Sequence, residues 1–219
     1  MKKKTLAMLL MLMPLAAMAQ SNWEIPETKK SDAKESKKVE KANETKEADK
    51  AYLAGAVPEE DGKVVFSSEI STGSMSAQEA FDIAYKKIEQ LTGEKNQTQK
   101  SRISLINKDE HSIVAAFGEW LVFTNHAFVL DRTLFNYLMV VNCSDGKVNV
   151  KISRLAYEYS NGHDGTDLFY AEDLITDKLM LAKNGKKLKR INRKFRIATV
   201  DRMREVLNAM QQAFSDNTK

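Results

Sequence analysis

One cysteine and three histidines are all that 219 residues offer of the side chains most used for metal binding and covalent chemistry. A lone Cys143 excludes an internal disulfide and any site built from several cysteines. It follows the apolar run 138–141 and precedes the turn Ser144-Asp145-Gly146, where it reads as a small, partly buried side chain at a strand end. Long hydrophobic runs are also scarce. The one that stands out lies at 6–17, too short to span a bilayer, behind Lys2, Lys3 and Lys4 and before Ala17-Met18-Ala19. A positive start, an apolar stretch and a small-x-small site are the parts of a secretory signal peptide. Residues 1–19 are therefore expected to be removed, leaving an exported chain in the periplasm or outside the cell. Gln20 and Ser21 stand where a lipoprotein would need cysteine, so lipid attachment is not expected.

Strong net charge is lacking as well. The formal charge is +4, and loss of three lysines and no acid with the leader lowers it to +1. A nearly neutral chain has no general attraction to nucleic acid, whose binding depends on neutralising many phosphates. The apparent richness in methionine dissolves in the same way, since Met1, Met8, Met11, Met13 and Met18 leave with the leader.

Residues 21–50 contain eight lysines and eight acids, with few large apolar side chains beyond Trp23 and Ile25. Such a stretch buries too little surface to offset its conformational entropy, so 20–60 reads as a flexible linker. Trp23-Glu24-Ile25-Pro26 is its one distinctive spot. A domain is expected over 61–214, followed by a short disordered tail, 215–219.

Within that domain the periods alternate. Val64, Phe66 and Ile70 share one parity and predict a strand. Ser76 and Glu79 form a capping box before Phe81, Ala84, Ile88 and Leu91, which recur at helical spacing until Gly93. Residues 102–107 and 111–123 read as a hairpin across Lys108-Asp109-Glu110, and 134–142 and 147–159 as a second across Ser144-Asp145-Gly146. A short helix is expected over 171–182, ending at Asn184-Gly185. A longer one is expected behind Thr199 as cap, through Val200, Met203, Leu207, Met210 and Phe214. The order strand, helix, four strands, helices predicts an α+β domain: an antiparallel sheet of about five strands covered on one face.

Several stretches resemble a family of exported bacterial proteins of unknown function with a fold like that of the TATA-binding protein. They are Trp120-Leu121-Val122-Phe123-Thr124-Asn125, Asp131-Arg132-Thr133, residues 152–159 (ISRLAYEY), residues 171–177 (AEDLITD), Lys194-Phe195-Arg196 and Thr199-Val200-Asp201. The resemblance implies a curved antiparallel sheet with helices on its convex side. It implies no activity, and likeness of fold to a DNA-binding protein does not imply DNA binding.

The residues that could carry chemistry are few. His126 with Asp131 could form half of a hydrolytic relay with Ser112 or Thr124, yet no nucleophile motif accompanies them. His111 begins a strand. Asn161, His163, Asp164 and Asp167 form a polar loop without the ligand alternation or closing Glu of a calcium-binding hand. No cofactor and no metal are expected. Charge segregates instead: 155–177 holds six acids and no Lys or Arg, and 178–196 holds nine basic residues and no acid. The expectation is a non-enzymatic domain that binds an envelope protein or an anionic envelope component. The candidate contacts are Lys186, Lys187, Lys189, Arg190 and Arg193, with Trp120 and Tyr137 on a sheet face. A hydrolase using His126 and Asp131, and a nucleic-acid binder by fold analogy, are the alternatives. Leu188, Ile191, Phe195 and Ile197 interrupt the basic run and are expected to pack against the domain.

Overall fold

The computed structural model describes residues 50–126, 129–160 and 165–216. The expected leader, the linker residues 20–49, the His163 loop (161–164) and the last three residues fall outside that range. Alternation of apolar and polar side chains builds the sheet. In β5 (Ser112–His126), β6 (Val129–Ser144) and β7 (Lys147–Tyr159), one parity is buried: Ile113, Ala115 and Phe117; Phe135, Met139 and Val141; Val148, Val150 and Ile152. These pair antiparallel with β4 (Arg102–Asn107) and β3 (Phe66–Ser71) in the order β3-β7-β6-β5-β4. Both predicted hairpins form as read, and β6 starts five residues earlier than expected. The expected count of about five strands becomes six, because β8 (Asp167–Tyr170) pairs with β7 beyond β3. A separate hairpin joins β1 (Glu59–Glu60) to β2 (Lys63–Val64).

Two helices cover the apolar face. α1 (Ala77–Thr92) begins at the Ser76 capping box, with both reciprocal bonds made, and ends at Gly93. It buries Phe81, Ala84, Ile88 and Leu91, each at the predicted position, and Ala80 beside them. The C-terminal helix α4 (Arg193–Ser215) starts six residues before the expected cap. Thr199 lies buried inside it and shares a 2.7 Å hydrogen bond with the hydroxyl of Tyr157. The early start follows from burial of Phe195 and Arg196, which gives the preceding turn a packed face.

The expected helix over 171–182 is two single turns, α2 (Ala171–Leu174) and α3 (Asp177–Met180). The break has a chemical cause. Arg196, fully buried, donates to the carbonyl of Ile175 at 2.5 Å and to Asp177 at 2.6 Å, so that carbonyl is taken by a side chain where a continuous helix would use it internally.

Arg196 also corrects the domain boundary. It donates to the carbonyls of Tyr52 (2.7 Å) and Leu53 (2.8 Å), and Tyr52 donates to Asp201 at 2.8 Å. Residues 50–60, assigned to the linker by their neighbours' composition, belong to the folded domain.

Candidate functional site

The sheet's second face carries the other parity of each strand, and no helix covers it among the described residues. Register places Trp120, Leu134, Glu158 and Leu168 in one row across β5, β6, β7 and β8, and Gly118, Asn136, Ala156 and Tyr170 in the next. Beyond them come Ala116, Leu138 and Ser153, then Val114, Val140, Lys151 and Ser67. The face is apolar at one end and grades into Asn142, Asn149 and Glu69 at the other. Lys100 lies across it: its side chain crosses Gly118, where an added Cβ would meet the lysine Cβ at 2.7 Å, and its ammonium reaches Glu158 at 2.6 Å. Only glycine leaves room for that crossing.

A cavity of about 550 Å³ opens on this face, between the β1–β2 hairpin, β7 and β8. Arg154, Ser153, Lys151, Lys63 and Tyr170 line it, with Glu60, Asp61 and Glu172 opposite in charge. Three of the charges are committed: Lys151 binds Glu60 at 2.6 Å, and Glu172 accepts from the Val64 amide. Arg154 and Lys63 make no such pair among the described residues. Arg154 occupies a bulge in β7, between the Ala156–Asn136 and Ser153–Leu138 pairings, with φ of 57°. A left-handed conformation costs a residue with a Cβ about 1 kcal/mol or more, and strain of this kind concentrates where it positions something. Here it presents a guanidinium to the cavity beside a tyrosine that is 52% exposed.

A second cleft, of about 560 Å³, separates the start of α4 from β5. Its charges largely satisfy one another. Lys194 donates to Asp131 (2.7 Å) and to the Tyr159 hydroxyl (2.6 Å), beneath the rings of Phe123 and Tyr159. Burial opposes the charge on Lys194, but those two bonds outweigh it and raise its pKa above the ordinary lysine value. Deeper in, fully buried Glu119 binds Arg202 at 2.8 Å and accepts from Asn96 and Gln97. This is an anchor for α4, with few groups left for a ligand.

The sequence-predicted residues are dispersed. Lys186, Lys187, Lys189 and Arg190 are exposed on the connection from α3 to α4, a small hairpin in which Leu181 bridges to buried Leu188. Arg193 opens α4 and lines the second cleft. Leu188 and Phe195 pack as expected, whereas Ile191 is 70% exposed. Trp120 is on the open face, with the Arg132 guanidinium 3.8 Å from its ring centre. Tyr137 is not. It points to the helix side, stacked on Phe117 at 4.8 Å, because odd positions of β6 face the core. Its hydroxyl lies near Glu119 without reaching a hydrogen bond of good geometry, and burial, then that carboxylate, raise its pKa well above the tyrosine value. Trp120 and Tyr137 therefore cannot serve one surface.

Of the proposed relay, Asp131 is held by Lys194 and by Tyr159, which donates at 2.9 Å. The register sets His126 opposite Val129 and Asp131 opposite Thr124. His111 packs edge-on to Phe81 at 6.0 Å. Asn161, His163 and Asp164 lie outside the described residues. Among the described residues no three His, Cys, Asp or Glu side chains are grouped to hold a metal.

The cavity around Arg154 was not anticipated, yet the strand announces it. Large buried side chains run 148, 150, 152 and then 155, 157, with the small Ala156 buried between the last two. That change of parity within one strand is the mark of a bulge.

Residues 66–158 match the model of a domain of unknown function, DUF4468, with a TBP-like fold. A solved DUF4468 family protein from Bacteroides ovatus ATCC 8483 is 37% identical, covering 76% of this chain and 94% of its own, with a TM-score of 0.70. The chain belongs to the DUF4468 family. A TBP-like protein from Parabacteroides distasonis ATCC 8503, 22% identical over 71% of this chain and 97% of its own, has a TM-score of 0.55 and supports the fold. No curated protein matches the chain. The DUF4468 match bears out the α+β, TBP-like architecture and names no activity.

Proposed function

We propose that this DUF4468 protein is an exported, non-catalytic binding domain that takes an envelope protein or other envelope component on the open face of its sheet. The leader-like first nineteen residues support export. The observation that carries the binding reading is the cavity on that face, where a strained Arg154, with no ion pair among the described residues, stands beside an exposed Tyr170. Backbone strain costs stability, and a fold retains it where it serves contact. Aromatic and arginine side chains are also those that most often dominate protein interfaces. Engagement of Asp131 by Lys194 and Tyr159 leaves the hydrolase reading without support, and the balanced charge around the cavity gives none to nucleic-acid binding.

The test is a crosslinking pull-down from the native envelope with the mature protein and two variants, Arg154→Gly and Tyr170→Ser. Glycine suits the positive φ, so the first variant should keep its stability to within about 1 kcal/mol. Both variants should lose a partner that the parent captures. Capture of the same set by all three would sink the proposal.

A further inference from the structure

Beyond the core sheet, β5 and β6 continue as a two-stranded arm. β6 meets β7 no further out than Leu134–Glu158, and β4 meets β5 no further than Arg102–Ala116. Val122, Thr124, Asn125 and His126 pair only with Arg132, Asp131, Leu130 and Val129. From 129 to 132 the arm extends roughly 10 Å at the rise of a strand.

Its apolar side chains are exposed, and on both faces. Leu130 (56% exposed) shares the open-face parity of Arg132 and Leu134, and Val122 (47%) sits opposite Arg132. Val129 (55%) shares the other parity with Asp131, the side from which Lys194 reaches across at 2.7 Å. That bond brings the start of α4 alongside the arm, and just before it in the chain come Ile191 (70% exposed), Arg190 and Lys189. Val122, Arg193 and Lys194 line one cleft. Asp131, the acid within the described arm, is neutralised by Lys194, and of the acids across the cleft Asp201 accepts from Tyr52 and Glu205 pairs with Arg202.

We infer that this arm and the segment before α4 dock the protein on an anionic bilayer surface. A groove on a protein partner would use one face of a ribbon, but apolar groups on both faces suit an arm lowered edge-on into the boundary between headgroups and acyl chains, about 5–10 Å deep. Arg132, Lys189 and Arg190 would then lie at headgroup height, where each cation is drawn to anionic lipid. Trp120, partly buried at the base of the arm and stacked under Arg132, is the residue type that settles at that interface. This surface is separate from the Arg154 cavity, and either assignment can fail alone.

The mature protein is sedimented at low salt with vesicles of phosphatidylglycerol and phosphatidylethanolamine, and with vesicles of phosphatidylcholine. Binding is expected to the anionic vesicles and to weaken with added salt. Val129→Ser with Leu130→Ser should reduce it about tenfold. Lys189→Ser and Arg190→Ser should cost about fivefold each, whereas Lys86→Ser on α1 should change nothing. Unaltered near-ultraviolet circular dichroism shows that each variant keeps its tertiary structure. No binding by the parent, or equal binding by the Val129/Leu130 variant, overturns the inference. A loss as large with Lys86→Ser as with Arg190→Ser overturns it too, since it would mean that net charge alone is read.

Discussion

The Cys143 thiol is buried at the end of β6, and burial pushes its pKa up to about 12. Only the thiolate reacts readily. In the native protein Cys143 should therefore resist iodoacetamide at pH 8 and label at once in denaturant; equal rates would mean that the strand end opens freely. The linkage has a definite sign. The folded state holds its proton more tightly than the unfolded chain, whose thiol titrates near 9. This contribution to stability is complete below pH 9 and is lost as the pH rises toward 12. The sequence placed this cysteine correctly, since an apolar run followed by a turn says strand end. It could not place Tyr137, whose face depends on parity across a strand of polar and apolar positions. Nor could it pair Asp131 with Lys194, which are joined only by tertiary structure.

At the scale of elements, local chemistry was the readable part. Ser76 accepts from the Glu79 amide at 3.3 Å, and the Glu79 carboxylate accepts from the Ser76 amide at 2.9 Å and from the Ser76 hydroxyl at 2.8 Å; these last two bonds hold the Glu79 carboxyl below the usual carboxylate range. Ser76→Ala should lower stability by about 1 kcal/mol in urea unfolding, and no measurable change would remove the cap from the account of α1. The two hairpins and the core stripe of α1 were legible for the same reason: each is set by residues within a few positions of one another. The breaks in pattern were harder. The Asp167–Tyr170 strand is too short to show a period, and the interruption at Ile175 is imposed by an arginine twenty-one residues later. α4 begins early because tertiary burial of Phe195 and Arg196 supports a turn whose start lacks a side-chain cap.

For the whole molecule, composition misled at one boundary. Residues 50–60 (KAYLAGAVPEE) follow a charged stretch and were grouped with it, yet they are mostly apolar and two of their carbonyls complete the hydrogen bonding of a fully buried guanidinium. A fragment spanning 50–216 should unfold in one cooperative transition. One spanning 61–216 leaves Arg196 partly unpaired in the interior, which should cost about 3 kcal/mol or more. Calorimetry of the two fragments distinguishes them, and equal midpoints would show that the N-terminal turn contributes nothing.

The strand order has a kinetic side. β4, β5, β6 and β7 follow one another through hairpins, so their contacts form between near neighbours in the chain. β3 pairs with β7 across α1 and three intervening strands, Phe66 meeting Ile152 and Ser71 meeting Lys147. Non-local pairing of this kind must close a long loop before it is rewarded, and it slows folding. The four-strand meander is thus where folding should start, with amide exchange slowest in β5 and β6. The outer strand and the turn at Lys50–Tyr52 should join last and open first.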